Sequence, residues 1–162
     1  MEQIPTIETL VPPILQFATN LTHLELKNLA PHVFLPNVSW FPNLEVFVVR
    51  GRFHGDFPQN IHECPNLRVV NLNNTNVTGF LPKSIMMCEK LTILNINNTM
   101  MSNILPDEIQ HCKELKELYV GTHHPAKHYK SIDHLWKWFP KLEKVKIHPS
   151  EFNMALLYII DQ

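Results

Sequence analysis

The sequence predicts an α/β solenoid: a short curved arc with a parallel sheet of about six strands on its concave side and irregular or helical segments on its convex side. Three observations predict it. Residues 67–115 say the same thing twice, with Leu67, Val70, Leu72, Thr75 and Val77 recurring 24 residues later as Leu91, Leu94, Ile96, Thr99 and Met101. A ten-residue frame, P-x-x-I-x-x-C-x-x-L, runs from Pro58 to Leu67, from Pro82 to Leu91 and from Pro106 to Leu115. The leucines that open successive repeats fall at Leu21, Leu44, Leu67, Leu91, Leu115 and Leu142, spaced 23, 23, 24, 24 and 27 residues apart. A fixed period in this range marks stacked units that bury a continuous core only together.

The elements follow in order along residues 1–162, read as one domain. Residues 1–20 carry Ile4, Ile7, Leu10, Val11, Ile14, Leu15 and Phe17 at largely helical spacing, broken by Pro12-Pro13. This segment is expected to cap the open apolar face of the first coil, with a docking arm as the alternative. Repeats occupy residues 21–148. In each, the L-x-x-L-x-L core forms a short strand whose alternate side chains face opposite ways. Leu67, Val70 and Leu72 then point inward, and Val69, Asn71 and Asn73 outward. The same alternation turns out His23, Glu25 and Lys27; Val46, Val48 and Arg50; Ile93, Asn95 and Asn97; Glu117, Tyr119 and Gly121; Lys144, Lys146 and His148. Six strands about 4.8 Å apart make a sheet roughly 25 Å across. The fifth repeat is longer. Ser131 is a plausible N-cap there, and Ile132, Leu135, Trp136 and Phe139 recur as the apolar stripe of a convex helix. Residues 149–162 are expected to cap the last coil; otherwise the chain is a piece of a longer array.

The pattern L-x-x-L-x-L-x-x-(N/T/C)-x-L with a looser second half resembles the leucine-rich repeat family, over roughly residues 14–148. Val77-Thr78-Gly79-Phe80-Leu81-Pro82 looks like the plant-type L-T-G-x-I/L-P run. Residues 53–58 are a weaker copy, and residues 101–106 lack the glycine. The resemblance implies a protein or peptide partner held on the concave face. It also implies that Thr75 and Thr99 sit where the family usually places an inward asparagine; a hydroxyl supplies only part of that bonding.

Composition narrows the function classes. The net charge of -1 points to no nucleic-acid partner. Charge is nonetheless uneven, with eight lysines against four acids in residues 113–148, which reads mainly as a solvated end. The N-terminus lacks the charge and apolar run of a secretory signal, and MALLYII (154–160) is too short to span a membrane. Cys64, Cys88 and Cys112 share one repeat position and are expected to stack as buried small hydrophobes rather than bind metal. Unpaired thiols favour a cytoplasmic setting. His123, His124, His128 and His134 crowd one loop, but Pro125 breaks the helix a shared metal would need, so no metal and no cofactor are expected. No nucleophile–base frame and no Gly-rich phosphate loop is visible, and the chain is not expected to be an enzyme. Five N-x-S/T sequons, at Asn20, Asn37, Asn73, Asn76 and Asn97, keep an extracellular recognition domain as the alternative.

The outward strand residues remain. Val46, Val48, Val69 and Ile93 form an apolar patch where burial in the core cannot explain them, bordered by amides. The expected partner-binding set is Val46, Val48, Arg50, Val69, Asn71, Asn73, Ile93, Asn95, Asn97 and Tyr119. Lys144 and Lys146 are placed to receive an acidic rim.

Overall fold

The computed structural model describes residues 13–102, 105–122 and 133–147. Six parallel strands lie in one open sheet in chain order: β1 (His23–Phe34), β2 (Val46–His54), β3 (Val69–Asn71), β4 (Ile93–Thr99), β5 (Glu117–Thr122) and β6 (Lys144–Ile147). The repeat-opening leucines behave as predicted, with Leu44, Leu67, Leu91 and Leu115 fully buried. Each strand adds a second layer of inward residues: Phe47 and Val49, Val70 and Leu72, Leu94 and Ile96, Leu118 and Val120. Burying a side chain of this size is worth about 1.5–3 kcal/mol. Every repeat shares that gain with its neighbours, so no single coil is stable alone.

The ten-residue frame is the return path. Pro82 and Pro106 precede short 3-10 turns, Lys83–Met87 and Asp107–His111, with extended backbone (ψ 153° and 145°). Ile85 and Ile109 are buried inside those turns. The following cysteines close them, Cys88 N–H donating to Ile85 C=O and Cys112 N–H to Ile109 C=O, each at 2.9 Å. Leu91 and Leu115 N–H then donate to the cysteine carbonyls and start the next strand. The three thiols do stack as a buried, unpaired column. Each bonds the preceding coil: Cys64 to Val38 C=O at 3.4 Å, Cys88 to Ile61 C=O at 3.6 Å, Cys112 to Ile85 C=O at 3.4 Å.

Thr75 and Thr99 are buried, and their hydroxyls donate to Leu72 C=O at 2.7 Å and Ile96 C=O at 2.9 Å. The threonines thus close the turn of their own repeat. Two residues beyond the threonines, Val77 and Met101 are buried, as is Phe53 at the equivalent position of the second repeat.

A second, shorter ladder runs along the flank beyond the strands, which residue patterning did not anticipate. Asn76 N–H donates to Phe53 C=O, Thr78 N–H to Gly55 C=O, Met100 N–H to Val77 C=O and Ser102 N–H to Gly79 C=O, at 2.7–2.9 Å. Asp56 and Thr78 form a parallel bridge there, their side chains joined at 2.6 Å. Gly55 (φ 99°) and Gly79 (φ 82°) turn the chain through the left-handed region that bulkier residues avoid.

Two expectations need correction. Phe17, assigned to the apolar cap, is 76% exposed; Leu15 and Ala18 of the same segment pack against the core, because the 3-10 turn Pro13–Phe17 turns them inward instead. Trp136, assigned to the apolar stripe of the convex helix, is 41% exposed. The helix α1 (Asp133–Trp138) buries Leu135 and Phe139, and its second tryptophan, Trp138, packs on the core edge-on to Phe139. On a 3.6-residue turn, positions 136 and 138 lie equally far, about 80°, on either side of the 135–139 face, so helical spacing does not choose between them and the packing of the neighbouring coil does. Ser131, Ile132, His148, the 123–132 loop and both terminal segments lie outside the described residues.

Candidate interaction surface

The strand register lines the outward residues into rows. His23, Val46, Val69, Ile93, Glu117 and Lys144 are successive partners in one row; Glu25, Val48, Asn71, Asn95, Tyr119 and Lys146 are partners in the next. Lys27 pairs with Arg50 and Asn97 with Gly121 in a third. Although β3 ends at Asn71, the pairing continues. Leu72 N–H donates to Asn95 C=O at 2.8 Å and Asn74 N–H to Asn97 C=O at 3.2 Å, which holds Asn73 beside Asn97. All ten predicted residues therefore share one face, over strands β2 to β5.

Val46, Val69 and Ile93 stand side by side and are half-buried, each covering part of its neighbour. This is the outward alternation the sequence pattern predicts, with Phe47, Val70 and Leu94 fully buried between them. Beside the apolar row runs an amide row. Asn71 Oδ1 accepts from Asn73 N–H at 3.1 Å, and Asn95 Oδ1 accepts from Asn97 N–H at 3.2 Å. These bonds fix the two amides against their own backbone, just past the end of β3 and within β4. The Oδ1 atoms of Asn73 and Asn97 are buried without a protein partner. Buried polar atoms of this kind cost stability when unpaired.

Charge collects at the two ends of the face. Glu25 Oε1 receives Arg50 Nε at 2.9 Å and Lys27 Nζ at 3.4 Å. The Arg50 hydrogen bond, then the Lys27 charge, holds the Glu25 carboxyl below the usual range. At the other end Glu117 receives Lys144 Nζ on Oε1 and the Tyr119 hydroxyl on Oε2, both at 3.0 Å. Burial and the Glu117 bond push the Tyr119 hydroxyl up, so it stays protonated and donates. Residue patterning left Glu25 and Glu117 out of the binding set, since neither belongs to the apolar patch. Their role as anchors for the basic residues shows only in the packing.

Among the described residues no group of His, Cys, Asp and Glu could hold a metal ion, and no helix is long and apolar enough to cross a membrane. The histidine loop lies outside them.

A stack of coils with in-register parallel strands on one face and short turns on the other is a solenoid, a fold built as an interaction scaffold. Residues 65–122 match the family described as leucine rich repeat, and the same register extends those repeats to all six strands. Within residues 65–122 the repeats are leucine-rich repeats. No curated protein matches the chain in sequence. Among solved structures, it is similar to the crystal structure of PEPR1-AtPEP1, at 21% identity and a TM-score of 0.73, over 86% of this chain and 19% of that one. It is also similar to the plant peptide hormone receptor RGFR1 in complex with RGF2, at 25% identity and a TM-score of 0.68, over 82% and 21%. A third is the leucine-rich-repeat ectodomain of the receptor kinase SOBIR1 from Arabidopsis thaliana, at 16% identity and a TM-score of 0.65, over 76% and 67%. The chain thus spans about a fifth of the length of the first two.

Proposed function

We propose that this chain is a protein-interaction module that holds a protein or peptide on the outward face of its sheet. The observation that carries this reading is the in-register row Val46–Val69–Ile93: apolar side chains on the face that the core does not need. The contact set is Val46, Val48, Arg50, Val69, Asn71, Asn73, Ile93, Asn95, Asn97 and Tyr119. A face fixed by backbone pairing on both sides of β3 and β4 is rigid before the partner arrives, so little ordering cost falls on the module itself. Binding is the proposed activity. The similarity to a peptide hormone receptor, RGFR1 with RGF2, supports a peptide as partner.

Two settings are open to such a module. The buried free thiols favour the cytoplasmic adaptor read from the sequence. A second reading, an extracellular recognition domain, is favoured by a specific observation: the similar SOBIR1 structure is that of an ectodomain.

Val48→Glu/Val69→Glu/Ile93→Glu tests the face. Partners captured by the wild type are identified by mass spectrometry and rebound as purified proteins. The reading expects the folded variant, with unchanged circular dichroism, to lose that binding by at least tenfold. Equal binding by both proteins would move the site off the sheet.

A further inference from the structure

The sheet face has a charge pattern as regular as its apolar row. At the β1–β2 end Lys27 and Arg50 surround one acid, Glu25, and Arg52 is exposed further along β2. At the β5–β6 end two bases, Lys144 and Lys146, accompany one acid, Glu117. Between them the outward positions of β3 and β4 carry Val69, Asn71, Ile93, Asn95 and Asn97, with no charge. Among the described residues each end therefore keeps a net positive charge, and the middle keeps none. Each glutamate already holds a base at 2.9–3.0 Å, so it positions that base rather than repelling an incoming acid. Lys146 is exposed in the same row as Tyr119 and has no acidic partner among the described residues.

Resting on the proposed binding face, we infer that the partner is an extended acidic–apolar–acidic segment lying across the strands. Its aliphatic centre meets the Val46–Val69–Ile93 row. One carboxylate reaches Arg50 and the other Lys146. The distance sets the spacing of the acids. From β2 to β6 is four strand spacings of about 4.8 Å, or roughly 19 Å, and an extended chain rises about 3.3 Å per residue. The two acids therefore stand about six residues apart. The amides of Asn71 and Asn95 lie between the two charged ends, within reach of the segment's main chain. A like-charged partner, or one with its acids at the centre, would desolvate charge against apolar side chains without compensation.

A random dodecapeptide display library, selected on the immobilised chain, tests this directly. The expected peptides carry Asp or Glu about six residues apart around an aliphatic centre. Their affinity should fall at least tenfold on Lys146→Glu, a change at an exposed side chain with no acidic partner among the described residues and so neutral for folding. It should also weaken as salt rises from roughly 0.05 to 0.5 M. Selection on Arg50→Glu/Lys146→Glu should instead enrich Lys or Arg at the same spacing. Peptides that bind through the face without a charge preference would overturn this inference and leave the binding face standing. Peptides bound equally by a Val69→Glu/Ile93→Glu variant would sink both. A library yielding no binder overturns the segment as partner.

Discussion

The Cys88 thiol donates to the Ile61 carbonyl of the preceding repeat across 3.6 Å, buried in the core between two coils. Burial pushes this thiol up to about 12, with Cys112 and Cys64 adding to the effect; Cys112 likewise lies at about 12, and Cys64 at about 11. A thiol raised in the folded state from its ordinary value of 9.0 gives stability that is present in full below pH 9. That stability falls as the unfolded chain ionises above pH 9 and the folded chain does not, and is lost through pH 11–12. The urea midpoint should therefore drop between pH 8.5 and pH 10.5, and more steeply than in a Cys88→Ala/Cys112→Ala variant. Native protein at pH 8 should leave all three thiols unlabelled by iodoacetamide over minutes, and urea should expose all three.

Thr99 tests whether the buried hydroxyls matter. Its Oγ1 donates to Ile96 C=O at 2.9 Å and accepts from Met101 N–H at 3.4 Å. Valine keeps the shape and removes both bonds, leaving a carbonyl and an amide to compete for other partners. Thr99→Val should cost about 1–3 kcal/mol in urea unfolding. A neutral result would mean that the turn closes on backbone bonds alone.

Gly79 and Gly55 share a positive φ but not the same surroundings. A Cβ on Gly79 would lie 3.2 Å from Asp56 Oδ1 and 3.3 Å from Asp56 Cβ, against a side chain pinned by Thr78. A Cβ on Gly55 would meet only the exposed ring edge of Phe34, at 3.2 Å, which can swing away. Gly79→Ala should destabilise by about 1–3 kcal/mol, and by more than Gly55→Ala. Thermal denaturation of the two variants side by side decides the order.

The five sequons differ once folded. Asn20 is exposed, whereas Asn37 caps a turn, accepting from Ser39 N–H at 3.1 Å. Asn76 Nδ2, the atom a glycan would occupy, lies 3.3 Å from His54 Nε2. Asn73 and Asn97 have buried amide oxygens on the proposed binding face. Routed through the secretory pathway of a eukaryotic cell, the folded product should carry glycan at Asn20 and none at Asn73 or Asn97. Intact-mass analysis before and after glycosidase reads this. Occupied Asn73 and Asn97 in a folded, monodisperse product would mean that those amides swing out freely.

Much of this architecture was legible in the residues, for a physical reason. A strand has a side-chain period of two, so the L-x-x-L-x-L spacing separates inward Leu67, Val70 and Leu72 from outward Val69, Asn71 and Asn73 without any coordinates. Repetition then sets those choices side by side at a 24-residue interval. The buried column of Cys64, Cys88 and Cys112 was readable for the same cause, since identical positions in stacked coils must touch. The parallel register that brings Val46, Val69 and Ile93 into one row follows from the leucine spacing.

Contacts between different repeat positions depended on the tertiary structure. That Glu25 grips Arg50, that Glu117 holds both Tyr119 and Lys144, and that Asp56 bridges to Thr78 in a second ladder depend on side-chain direction and on the bend after each strand. Neither has a sequence period. The placement of Trp138 inward and Trp136 outward turned on the packing of the neighbouring coil, which the helical spacing of two apolar residues two positions apart cannot settle. The sequence by itself determined the repeat, its faces and its core, because burial and periodicity act residue by residue. Only the tertiary structure decided which charges are held and where the face keeps its positive ends, because those depend on distances between coils.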